Sequence, residues 1–111
     1  MTITKEQEKR IEQFRNIMLN LVGYPETKEI KREQIHDIGY GTISVVITVG
    51  SIGDEGTMAE VVCRDTAQVF IGPKGGCFTM STARSGKNKG KTVRYDDNLQ
   101  GVVWRSVFDY N

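Results

Sequence analysis

Residues 73–98 read Pro-Lys-Gly-Gly-Cys-Phe-Thr-Met-Ser-Thr-Ala-Arg-Ser-Gly-Lys-Asn-Lys-Gly-Lys-Thr-Val-Arg-Tyr-Asp-Asp-Asn. A tight turn at Pro73–Gly76 leads into a strand from Cys77 to Arg84. A basic, glycine-punctuated loop follows, and then a second strand from Thr92 to Asp96. This is a β-hairpin, and it marks the second half of the chain as antiparallel sheet. The loop gathers Arg84, Lys87, Lys89, Lys91 and Arg94 around Ser85, Gly86, Asn88 and Gly90. So uneven a cluster in a chain of net charge +1 suits a phosphate-bearing ligand, since local charge and not the total must attract it.

Upstream, Thr4-Lys5-Glu6-Gln7 fits a capping box, with Thr4 as N-cap and Gln7 reaching back. Ile11, Phe14, Met18 and Leu21 recur at spacings of three and four, with Ile17 and Val22 widening the stripe. This predicts an amphipathic helix stopped by Gly23 and Pro25. Glu26 to Asp37 reads as a second, shorter helix capped by Thr27, with Ile30, Gln34 and Ile35 facing inward. After Gly41 the period changes to two. Ile43 to Val49 is β-branched and reads as a strand. Gly50 to Gly56 is a loop, and Met58 to Arg64, Ala67 to Ile71 and Val102 to Tyr110 read as further strands. The expectation is one α+β domain, with residues 1–38 helical and 42–110 a meander of about six antiparallel strands.

The chain has 111 residues, of which 26% are charged and 38% hydrophobic. That suits one globular domain with a modest core. Near-neutral charge argues against a general nucleic-acid coat. The two cysteines, Cys63 and Cys77, lie in segments read as strands and form no disulfide framework. They are expected to be free in a reducing compartment. Met1 to Arg15 is too polar for a secretory h-region, and no run approaches the roughly 20 apolar residues of a membrane span. The expected location is cytoplasmic.

Alternation gives a further clue. Ile43, Val45, Ile47 and Val49 share one strand face, with Val46 opposite. Val62, Phe70, Phe78 and Met80 fall opposite the most regular apolar set. On the last segment, read as a strand, Val102, Trp104, Phe108 and Tyr110 share a face. The helices can cover one face of the sheet, so a part-apolar second face implies a homo-oligomer or a ligand. The alternative is a twisted sheet that hides it within one copy.

Three constellations bear on chemistry. Ser85 to Thr92 looks like a phosphate-binding P-loop, but it leads into a strand where such a loop needs a helix N-terminus, which excludes nucleotide hydrolysis on that pattern. Phosphate contact through a basic hairpin and a solvated hairpin tip remain the two readings. Arg64, Arg84, Arg94 and Arg105 lie in or beside predicted strands, with Phe78 and Tyr95 nearby. Guanidinium groups suit phosphate and rings suit a base. A salt bridge is the competing use, with Asp96 or Asp109 available to Arg105. Finally, two cysteines and the lone His36 have no chelating or catalytic spacing, so neither a metal, a cofactor nor an enzyme is expected.

The layout resembles the phage anti-Thoeris sponge proteins of the first type, small proteins that sequester a cyclic ADP-ribose signal. In that family an N-terminal helical segment precedes an antiparallel sheet, as from Thr4 to Tyr110 here. Phe78, Asn88 and Arg105 stand where the family has its pocket aromatic, asparagine and C-terminal arginine, and Arg64 matches a further arginine. The resemblance implies a dimer or larger homo-oligomer with pockets between subunits and binding without turnover. Phe78 would stack on adenine, Asn88 would bond the base or ribose, and Arg64 and Arg105 would hold the pyrophosphate. It also permits a separate site for cyclic oligonucleotides on the basic first helix, and places a phage-encoded protein in the host cytoplasm. Two other classes stay open: a module for RNA or single-stranded DNA, and an inhibitor that docks a protein through its sheet.

Overall fold

The computed structural model describes residues 2–21 and 25–110. Helix α1 spans Lys5–Leu19 and opens with the expected capping box. Thr4 Oγ1 accepts from the Gln7 amide at 3.1 Å, while Gln7 Oε1 accepts from the Thr4 amide at 3.0 Å. Glu6 and Glu8 stand in the first turn, where negative charge complements the helix dipole. The expected terminator Gly23 lies outside the described residues, and a 3-10 turn at Pro25–Thr27 leads into the sheet.

Five antiparallel strands follow in sequence order: β1 Lys28–Gly39, β2 Thr42–Ser51, β3 Asp65–Ile71, β4 Cys77–Thr82 and β5 Thr92–Asp96. A short helix, α2 Met58–Val62, lies between β2 and β3, and α3 Leu99–Tyr110 closes the described chain. The α+β class is as expected, with five strands in place of about six. Both long helices pack on one sheet face and against each other. The core joins Ile11, Phe14 and Met18 of α1, Leu99, Val102, Val103 and Val107 of α3, and the inward residues of β2 and β3. The molecule measures 39 × 38 × 20 Å. A thickness of 20 Å has room for one sheet and one helix layer, so the other sheet face is open.

Three segments differ from their sequence reading. Glu26 to Asp37 is not a helix but most of β1. An edge strand is half exposed, so it carries charges that mask alternation. A bulge between Ile30 and Arg32 shifts the two-residue period, so Ile30 and Ile35, five apart, both lie on the helix side, while Gln34 lies on the open side and not beside them as expected. Met58 to Arg64 contains α2 rather than a strand, and Cys63 is its C-cap. Its Met58, Val61 and Val62 are exposed, so no sheet neighbour rewarded their β propensity. Val102 to Tyr110 is likewise helical. Leu99, Val102, Val103, Ser106 and Val107 are buried, a helical series at spacings of three and four. Asn98 caps it by accepting from the Gly101 amide at 2.9 Å. The expected alternation on that segment therefore gives way to one buried stripe, with Trp104, Arg105 and Phe108 exposed.

Helix α3 also completes the sheet. β3 and β4 pair only at Phe70–Phe78 and Ile71–Cys77 and then diverge. The Gln68 amide, left without a strand partner, donates to Ser106 Oγ at 2.8 Å, and the Gln68 carbonyl accepts from Thr79 Oγ1 at 3.0 Å. Side chains thus satisfy the backbone groups that the opened ladder orphans.

Gln7 is fully buried. Its Nε2 donates to the Gly41 carbonyl at 2.7 Å and to the Ile71 carbonyl at 3.1 Å. Gln7→Leu leaves both acceptors unpaired, each at a cost of about 1–3 kcal/mol. We expect urea denaturation to show a loss of about 3 kcal/mol with unchanged m-value.

Candidate functional site

The open face is set by the strand register. Thr48, Val46 and Ser44 of β2 pair with Arg32, Gln34 and His36 of β1 and with Thr66, Gln68 and Phe70 of β3. Phe70 pairs with Phe78, Phe78 with Asp96, and Met80 with Arg94. Phe70, Phe78 and Met80 thus share this face, as expected, while Val62 lies on α2, outside the sheet.

Three side chains form a column across β3, β4 and β5. The Phe70 and Phe78 rings stack at 5.0 Å between centroids with an interplanar angle of 15°. The Arg94 guanidinium carbon lies 3.8 Å from the Phe78 centroid. Phe78, on the middle strand, lies between the other two. Arg94 is oriented by Asp96, two residues on and hence on the same face. Its Nε donates to Asp96 Oδ2 at 2.9 Å and its Nη2 to Oδ1 at 2.8 Å. Each partner favours the other's charged form, so the hydrogen bond raises the pKa of Arg94 and lowers that of Asp96. Both are more than half exposed. A surface pair of this kind adds little stability, and its effect is to fix where the guanidinium stands.

Beside this column lies a cleft of 770 Å³, within the usual range of about 300–1,000 Å³ for small-ligand sites. The β1–β2 tip supplies Ile38 and Tyr40, the β3–β4 turn supplies Pro73 and Lys74, and β4 and β5 supply Phe78, Arg94 and Asp96, with Asp97 just beyond. Tyr40 is fully exposed, with φ +55°, a conformation that side chains larger than glycine rarely adopt. The two tips touch. A Cβ on Gly41, at φ +74°, would come within 3.3 Å of Pro73, so glycine permits their approach. Helix α1 holds the cleft from behind. Thr4 Oγ1 donates to the Pro73 carbonyl at 2.9 Å, and Arg10 Nε to the Gly75 carbonyl at 3.1 Å.

Of the residues singled out in the sequence, Phe78 lines the cleft and Arg64, Asn88 and Arg105 lie elsewhere. Asn88 is exposed in the basic loop, at the opposite end of the β4–β5 hairpin from Phe78. That loop runs into β5, a strand, as its reading required. Arg105 lies on α3, behind the sheet, with its guanidinium carbon 4.0 Å from the Tyr95 ring centroid. Tyr95 pairs with the buried Thr79, so Arg105 and Phe78 stand on opposite sides of the sheet.

Arg64 belongs to an ion cluster at the other end of β2. Asp54, with its side chain 1% exposed, accepts from Arg64 Nη2 at 3.0 Å and lies 2.8 Å from Lys31 Nζ. Lys31 also meets Glu29 at 2.7 Å and Glu55 at 2.6 Å. Gly50 makes room for this group, since a Cβ there would come 2.7 Å from Asp54 Oδ2. Desolvation opposes the charge on Lys31, but its bonds to Asp54, Glu29 and Glu55 outweigh it and push the pKa up. The bonds from Arg64 and then Lys31 hold Asp54 down at about 2. Cys77 is free and buried, and burial raises its thiol pKa, whereas the free Cys63 is exposed.

Sequence reasoning passed over Tyr40 and Ile38, because the segment before Gly41 read as a helix end. Gly39-Tyr-Gly41 between a charged strand and a β-branched one was the available signal of a hairpin tip.

The folded chain keeps Asp54 ionised more strongly than the unfolded chain does. Its contribution to stability is complete above the ordinary value of 3.8 and fades as pH falls toward about 2. We expect the wild type to lose stability across that window. Asp54→Asn should be less stable at neutral pH and show a flatter acid slope by urea denaturation at stepped pH.

No family model, curated protein or solved structure matches this chain.

Proposed function

We propose that the protein is a non-enzymatic binding protein that captures a small nucleotide signal in the cleft beside the Arg94–Phe78–Phe70 column. The supporting observation is that one cleft holds the three kinds of group such a ligand needs. Tyr40 offers a ring face for a base, and Phe78, covered on its two faces by Phe70 and Arg94, offers its edge. Lys74 and Arg94 offer cations for phosphate. Asp96 and Asp97 offer acceptors for ribose hydroxyls. Taken with the resemblance to the anti-Thoeris sponge proteins, the ligand is a signal of the cyclic ADP-ribose type. Held without turnover, it is withdrawn from a defence pathway in the host cytoplasm.

A second reading has its own observation. The column crosses three neighbouring strands, and stacking groups on an open sheet suit RNA or single-stranded DNA. It requires affinity that falls steeply with salt.

Calorimetry and native mass spectrometry with cyclic ADP-ribose isomers, cyclic di- and trinucleotides and a short single strand separate these readings. We expect a small nucleotide to bind and to be released intact on denaturation. Base stacking contributes about 1–3 kcal/mol, so Tyr40→Ala should weaken binding roughly tenfold or more; Arg94→Ala, and Phe78→Ala by removing the ring under Arg94, should do so similarly. Arg105→Ala leaves the affinity within about twofold if the cleft of one copy suffices, and lowers it if the pocket is shared between subunits. Chemical change of the ligand, or Phe78→Ala binding as well as wild type, would falsify the proposal.

A further inference from the structure

The outer edge of β1 is 12 residues long, well above the usual strand length of about 5–6. It contains no proline, and no strand pairs with its outer side among the described residues. An uncovered edge is a template for another strand. Charges along an edge ordinarily discourage that pairing. Here they are arranged as complements of themselves.

Set antiparallel to a second copy of β1 in the register that places Ile30 against Ile35, the residues toward both ends of the strand match. Lys28 then stands against Asp37 of the second copy, and Glu29 against His36. The two-fold repeats each match at the other end of the strand. The faces agree as well. In the sheet, Lys28, Ile30, Ile35 and Asp37 pair with Ser51, Val49, Val45 and Ile43, on the helix side. Glu29 and His36 pair with Gly50 and Ser44, on the open side. The bulge lies between Ile30 and Arg32 in both copies, so both strands span the same number of residues between the matched ends, and at the centre Glu33, already paired with Arg15 in its own copy, meets its counterpart. Ile30 and Ile35 are only partly buried at the rim of the core, and a second copy would cover them.

We propose that β1 is a homodimer interface, joining two copies edge to edge into one ten-stranded sheet. Both helix layers lie on one side of that sheet, and both clefts open on the other. The partner is a second copy of this chain because the charged ends of the strand complement each other on reversal.

The test uses Lys28→Asp and Asp37→Lys, each made singly in the full chain. Lys28 is half-buried and Asp37 exposed on β1, where Asp37 Oδ1 accepts from the Gly39 amide at 2.8 Å, so both variants should keep the far-UV circular dichroism of the wild type while their melting temperatures fall with the lost association. By sedimentation at micromolar concentration, the wild type should run at twice the chain mass of 12.5 kDa and each variant as a monomer. An equimolar mixture of the two variants should regain the dimer, because every acid at position 28 or 37 of one then meets a lysine of the other. The double variant Lys28→Asp/Asp37→Lys should dimerise alone. A monomeric wild type, or single variants that dimerise like the wild type, would overturn the proposal. So would a mixture that stays monomeric while the double variant does too.

Discussion

One carboxamide fixes where the two layers meet. Gln7 uses its oxygen to close the start of α1 and its two N–H groups to bind the Gly41 and Ile71 carbonyls. Glutamate in its place would bring no donors, and an apolar residue would strand two acceptors in the interior. The start of the helix, the tip of one hairpin and the end of a central strand are therefore tied at one buried point. Thr4 and Arg10 extend the tie to the neighbouring turn. The geometry of the cleft follows from this attachment, since its Pro73 and Tyr40 walls are the segments so held.

The opposite end of the sheet is fixed by charge. Asp54, Lys31 and Arg64 are drawn from the loop after β2, from the bulge in β1 and from the residues following α2. A buried ion pair adds little net stability once desolvation is counted, but removal of one member leaves an uncompensated charge. The group therefore acts as a positional lock. It specifies how the chain returns from β2 to β3 while the apolar residues of α2 face solvent. Each end of the slab thus has its own polar clamp, and the apolar core between them supplies the bulk of the free energy.

Much of this was legible in the residues. The capping box at Thr4–Gln7 and the stripe from Ile11 to Met18 define α1 without help from tertiary structure. The β-branched run from Ile43 to Val49 and the hairpin from Cys77 to Asp96 are equally local signals. Misreadings arose where local preference and tertiary setting disagree. Val102, Val103, Trp104, Val107 and Phe108 are strand-favouring residues, and only the spacing of the buried set with Asn98 as cap discloses a helix. In β1 a bulge erased the alternation. The cleft was the least legible part, since its walls come from the β1–β2 tip, the β3–β4 turn and the end of β5, which only the folded chain brings together. Phe78 belongs to the cleft, while Arg64, Asn88 and Arg105 are dispersed over other parts of the molecule.

The divergence of β3 from β4 sets an order of events for assembly. The Gln68 amide has no strand to bond and waits for Ser106, 38 positions later. Until α3 docks, the middle of the sheet carries an unmet polar group, and Val69 lacks its helical cover. A nascent chain emerging from the ribosome can therefore form the β1–β2 hairpin early, from contacts close in sequence. It can consolidate the centre of the sheet only after Ser106 has emerged. Folding should thus be gated by a late, long-range contact, and until then the seam between β3 and β4 is the part of the sheet most exposed to chaperones and proteases.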